Sequence, residues 1–123
     1  SDAVRSLYTC SRTDERVVAG LVRRALRRPN TRIGVERAFS EIRGEDLAAP
    51  AIEEMSDRRI AEMTMVGLTS LGSELPQHGV LLREALLETV TRMSKSELGV
   101  LMHHPVLGEG VTAVCEASGV SFS

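Results

Sequence analysis

Aromatic side chains are almost missing from this chain: Tyr8, Phe39 and Phe122 are all it has, and there is no Trp. A core must therefore be built from Leu, Val, Ala and five Met, which suits close helix packing. The same lack removes the stacking platforms on which single-stranded nucleic acid binds. Lysine is scarcer still, with Lys95 the sole example beside fourteen Arg. Cysteine is limited to Cys10 and Cys115 at opposite ends of the chain, which is weak support for a disulfide framework and fits free thiols in a reducing cytosol. No apolar run approaches membrane-spanning length and no signal-peptide pattern is present, so the expectation is a cytoplasmic protein with no membrane partner.

Catalytic signatures are missing as well. There is no G-x-S-x-G elbow, and no phosphate-cradling G-x-x-x-x-G-K-[ST] loop, since the single Lys follows Ser94. His78, His103 and His104 with the two Cys lack the paired local spacing that zinc sites use. Adjacent histidines point about 100° apart on a helix and seldom share a metal. The sequence therefore predicts no enzyme, no metal and no cofactor.

What the chain does have is 42% apolar residues, enough for one core at 123 residues, and a lopsided charge. Residues 1–43 carry ten Arg against five acids, and residues 44–123 carry five basic residues against twelve acids. It also echoes itself. Val17, Val18, Leu21, Val22, Ala25, Leu26 and Arg28 return 64 positions later as Leu81, Leu82, Ala85, Leu86, Thr89, Val90 and Arg92. Gly34-Val35-Glu36 is answered by Lys95-Ser96-Glu97, and Leu47-Ala48-Ala49 by Val111-Thr112-Ala113. Such drifting offsets are what two copies of one helical unit with unequal loops would leave.

Apolar spacing follows the helical period throughout. It predicts helices over 14–28, closed by Pro29, then 34–43, ended by Gly44, then 46–55 and 57–71. Gly72, Ser73 and Pro76 read as the linker. Helices over 79–92, 94–104 and 109–118 follow, with Ser94 to Glu97 a capping box. The expected architecture is all-α, one domain over 1–123 made of repeat 1 (13–71) and repeat 2 (77–121).

Glu36 and Glu97 are the most informative polar pair. Each is predicted at the start of the second helix of its repeat, where a carboxylate offsets free amides and the helix dipole. Paired carboxylates beside free amides could also receive a cationic or mixed-charge group.

At these residues the chain resembles a known family. Ala25 to Arg37, reading A-L-R-R-P-N-T-R-I-G-V-E-R, resembles the segment that opens the repeat of the Clp unfoldase N-terminal domains, where Ile-Gly-Thr-Glu-His precedes a Leu-rich helix. Gly44 to Met55 resembles its continuation, and Ser96-Glu97 with Gly108 to Val120 resembles the second copy. Val35 stands where that family has Thr, Arg37 where it has His, and the second copy lacks Ile-Gly. The resemblance implies two four-helix repeats related by a pseudo-twofold axis. It implies a non-catalytic domain that binds adaptors or client proteins within a Clp ATPase or protease assembly, any ATPase activity lying outside this chain. In one branch of that family the motif glutamates help bind phosphorylated arginine on marked clients. Carried over, this makes Glu36, Glu97, Val35 and Ser96 the candidate binding residues, with Val35 lacking the hydroxyl that Ser96 keeps.

Two other classes compete. A stand-alone helical regulator could bind nucleic acid through Arg16, Arg23, Arg24, Arg27, Arg28 and Arg32, although the acidic balance and scarce aromatics argue against it. A small-molecule sensor could use a pocket lined by Met55, Met63 and Met65.

Overall fold

The first corner of the molecule is decided by Pro29 and Thr31. The computed structural model describes residues 12–69, 76–104, 108 and 111–112. Its first helix, α1 (Arg12–Leu26), carries Asp14 and Glu15 in its first turn and Arg23 and Arg24 in its last, each sign opposing the helix dipole. Arg28 then adopts an extended backbone, as a residue preceding proline prefers. Pro29 stops α1 from continuing and opens the next helix, α2 (Pro29–Arg43), because the first helical amide has no partner to lose. Thr31 is buried, and its hydroxyl donates to the Ala25 carbonyl at the end of α1. The expected start at residue 34 is thus five residues too late: the polar run Pro29 to Ile33 is helix, not turn.

Gly44 ends α2 with φ near 70°, the left-handed conformation that glycine adopts without penalty. Both its amide and that of Glu45 donate to the Ser40 carbonyl. The Ser40 hydroxyl accepts from the Leu47 amide at 2.9 Å, folding the loop back onto α2. A short helix, α3 (Ala49–Glu53), follows with Pro50 in its first turn, shorter than the expected 46–55. The Ser56 hydroxyl accepts from the Arg59 amide to start α4 (Asp57–Thr69).

The last two helices are α5 (Pro76–Val90) and α6 (Lys95–Met102). Pro76, expected in the linker, is the first residue of α5, while Gly72 and Ser73 lie outside the described residues. Ser94 caps α6 by accepting from the Glu97 amide, as the capping-box spacing predicts. Most of the expected helix over 109–118 lies outside the described residues. The all-α class is observed: every regular element among the described residues is a helix.

Packing is dominated by α2 on α5 and by α1 on α4, with α1 also meeting α2, α5 and α6. The buried residues of α1 are Val18, Ala19, Leu21, Val22, Ala25 and Leu26, a single stripe at helical spacing. Phe39, Ile52, Ile60, Met65 and Leu82 are fully buried around it, each worth about 1.5–3 kcal/mol of apolar transfer. Met63 and Met65 belong to this core. Arg23 donates to Asp57 and, at 2.9 Å, to the Met55 carbonyl, so one arginine of the basic helix is consumed in joining α1 to the start of α4.

Candidate functional site

Two helix stripes with identical spacing face each other across a gap. On α1 they are Val17, Gly20, Leu21 and Arg24; on α6 and the turn before it they are Met93, Ser96, Glu97 and Val100. Each set runs i, i+3, i+4, i+7, the spacing that puts four side chains on one face of a helix. Between them lies an open groove of about 380 Å³, with Arg16 also on its wall. Its floor is apolar: Val17 and Met93 are half-buried, and Val100 is 40% exposed.

Gly20 leaves this space open. A methyl group built on it would meet no atom within 4 Å. Gly34 on α2 does the opposite, letting the backbones of α2 and α5 close together. A methyl there would lie 3.2 Å from the Leu81 carbonyl oxygen and 3.3 Å from the Ala85 Cβ. One helix pair is shut by its glycine and the other is left ajar by its own.

At one end of the groove Arg24 holds the Glu97 carboxylate at 2.8 Å. At the other end α6 gives way to His104, which is buried. Burial pushes the His104 imidazole below its usual pKa, and the negative charge of Asp14 in the first turn of α1 partly opposes that shift. Arg24 near the end of α1 meets Glu97 near the start of α6, and Asp14 at the start of α1 is near enough to His104 beyond α6 for its charge to be felt, so α1 and α6 run antiparallel.

Beyond Arg24 the surface falls into a second depression, of about 450 Å³, lined by Arg24, Arg27, Arg28, Arg92 and Thr89. The Thr89 hydroxyl donates to the Ala85 carbonyl, so the floor offers no spare donor from that group. Arg27 and Arg28 are exposed and make no ion pair among the described residues, whereas Arg92, in the turn after α5, lies 3.8 Å from Glu88.

Of the four residues singled out in the sequence, the structure brings Ser96 and Glu97 into the groove. Val35 is fully buried and belongs to the core, so whether it carries a hydroxyl has no bearing on a surface site. Glu36 lies inside α2, not at its start, and its carboxylate accepts from the Ala49 amide at 2.7 Å. It does serve a helix N-terminus, that of α3. The two glutamates therefore hold different partners, Glu36 the Ala49 amide and Glu97 the Arg24 guanidinium.

The six arginines read as a basic face are divided. Arg16 lines the groove, Arg23 is structural, Arg24 is paired, and Arg27 and Arg28 join Arg92 from the turn after α5. Met63 and Met65 are packed in the core. Of the histidine and cysteine set, Cys10, Cys115 and the His78 side chain lie outside the described residues.

Sequence reasoning read Val17 and Leu21 as core and left Gly20 unremarked. A glycine inside a helix of larger residues was the available signal, because it weakens the helix unless space or approach requires it. No protein-family model matches this chain, and neither a curated protein nor a solved structure is significantly similar to it. Any reading of function rests on the geometry itself.

Proposed function

We propose that this chain is a non-catalytic protein-recognition domain of the Clp N-terminal type, receiving an apolar segment of a client or adaptor protein in the groove between α1 and α6. The observation that carries this is the pair of matched stripes held apart over Gly20. An apolar floor with charged ends suits a peptide whose side chains pack while its polar groups stay at the rim.

The two-repeat architecture is part of the same reading, and the burial pattern supports it. Val18, Leu21, Val22, Ala25 and Leu26 are buried on α1, and so are Leu82, Ala85, Leu86, Thr89 and Val90, each 64 positions on. On α2 and α6 the buried residues match at 63: Val35 with Leu98 and Ala38 with Leu101. Arg28 and Arg92, 64 apart, line one depression, as residues related across an axis between α1 and α5 would. In this register Glu97 answers Gly34, and Glu36 answers Gly99. The glutamates are then not equivalent, and the groove exists because a glutamate stands where the other copy has its close-packing glycine.

Phosphoarginine binding by a Glu36–Glu97 pair gains no support from this arrangement. Glu36 already caps α3, and the place beside Glu97 where a client guanidinium would sit holds Arg24. Nor does the basic first helix present one continuous nucleic-acid face: Arg23 binds Asp57 and the Met55 carbonyl, Arg24 pairs with Glu97, and Arg27 and Arg28 lie beyond the helix in a separate hollow with Arg92.

The test is to fill the groove without touching the core. Gly20→Met puts a flexible side chain into the open space and replaces a poor helix former. Anisotropy with a fluorescein-labelled, unstructured Leu/Val-rich peptide should show binding to the wild type and its loss in Gly20→Met, with the variant at least as heat-stable. Chemical shifts should move at Val17, Met93 and Val100. A Gly20→Met protein that binds the peptide as well as the wild type would remove this reading.

A further inference from the structure

The end of α1 and the end of α5 meet at a surface where positive charge is incompletely matched. Four guanidinium groups, from Arg24, Arg27, Arg28 and Arg92, line one depression. One carboxylate touches them closely, Glu97 on Arg24, and a second, Glu88, stands 3.8 Å from Arg92. Each helix C-terminus contributes roughly half a negative charge, so the ends of α1 and α5 together offset about one guanidinium. The unmatched charge sits on Arg27 and Arg28, which are the exposed pair without an ionic partner among the described residues.

We infer that this depression is a subsite for dense negative charge carried by the same peptide segment that occupies the groove, supplied by a phosphorylated side chain or by neighbouring carboxylates. Guanidinium groups bind both through paired N–H donors matched to two oxygens, which a set of lysines would not do. Arg24 belongs to both depressions, so the apolar floor and the cationic hollow form one continuous track. A segment with an apolar anchor and an anionic group a few residues apart would span it. Nucleic acid is the less suited occupant, because neither depression presents an aromatic ring on which a base could stack. The inference rests on the groove reading for the course of the peptide, and on the arginines alone for its charge.

The test uses the whole chain and three labelled peptides sharing one Leu/Val core, flanked by serine, by phosphoserine or by two glutamates. Because the arginines are exposed and screened, the anionic peptides should bind about tenfold tighter than the neutral one at low salt, and less so at high salt. In Arg27→Ser/Arg28→Ser, that advantage should vanish while neutral-peptide affinity stays the same. Preference for the phosphoserine over the glutamate peptide identifies the phosphoryl group as the source of charge, and equal gains identify charge density. Equal binding of charged and neutral peptides to the wild type, or an advantage that survives the double substitution, would overturn the inference. So would an oligodeoxythymidine that binds more tightly than the phosphopeptide and is lost in the same variant.

Failure of the groove reading looks different. There the neutral peptide binds Gly20→Met as well as the wild type, or binds neither. Pyrophosphate then decides the subsite by itself: side-chain resonances of Arg27 and Arg28 should shift on titration, and their indifference would overturn the anion subsite.

Discussion

Arg24 reaches from α1 to Glu97 on α6, with 2.8 Å between guanidinium nitrogen and carboxylate oxygen, on the boundary between groove and arginine-lined hollow. Both side chains remain about two-fifths exposed, at 43% and 38%, so the pair is well screened by water. An exposed pair of this kind contributes about 0.2–1 kcal/mol. A double-mutant cycle with Arg24→Ala and Glu97→Gln should return a coupling in that range, shrinking with salt. Glu97→Gln also releases Arg24 to the hollow. It should therefore tighten binding of anionic peptides, whereas a site built on the Glu97 carboxylate would lose binding.

Glu36 predicts the reverse balance. Its carboxylate caps α3 through the Ala49 amide and is remote in role from the groove. Glu36→Ala leaves that amide without its charged partner and should destabilise the fold by about 1–2 kcal/mol. Chemical denaturation measures the loss, and peptide affinity of the folded variant should stay at the wild-type value. A stable variant with impaired binding would return Glu36 to the site.

The misplacement of Glu36 in the sequence reading has a local physical cause. Pro29-Asn30-Thr31-Arg32-Ile33 looks like a turn, since Pro ends a preceding helix and Asn favours turns. What makes it helix is the hydroxyl of Thr31 reaching back to the Ala25 carbonyl, a contact across a corner that no periodicity encodes. Local features were legible: the buried stripe from Val18 to Leu26, the Gly44 stop and the Ser94 cap all depend on residues within one or two turns. The groove was not, because it depends on how far α6 stands from α1. That separation is decided by side chains on two stripes offset by 76 positions, Val17 to Arg24 and Met93 to Val100. Arg27, Arg28 and Arg92 were noticed singly or as repeat partners, but only folding brings them around one hollow.

Two helix-interior glycines should respond to alanine with opposite signs. At Gly20 the added methyl enters open space, and the helix gains about 0.5–1 kcal/mol from replacing glycine. At Gly34 the same methyl presses on the Leu81 carbonyl and the Ala85 side chain, where the backbone of α5 must yield. Overpacking of this kind costs about 1–3 kcal/mol, enough to outweigh the gain in helix propensity. Urea midpoints should rise for Gly20→Ala and fall for Gly34→Ala. A shared sign would mean that the two helix pairs are packed alike and the groove is not held open.

His104 should make stability depend on pH in one definite window. Burial disfavours its charged form, so the folded-state pKa lies below the ordinary value near 6.5, despite the opposing charge of Asp14. Above that ordinary value the imidazole is neutral in both folded and unfolded chains and contributes no dependence. As pH falls below it, the unfolded chain takes up the proton first, and proton uptake favours unfolding. Stability should therefore decline from the ordinary value down to the depressed folded pKa, below which this contribution levels off. His104→Gln keeps polar capacity at the end of α6 but cannot titrate. The difference between wild-type and His104→Gln unfolding free energies, measured by denaturant titration at pH 5 and pH 7.5, should grow against the wild type at the lower pH. An unchanged difference would show that His104 is solvated enough to keep its ordinary pKa.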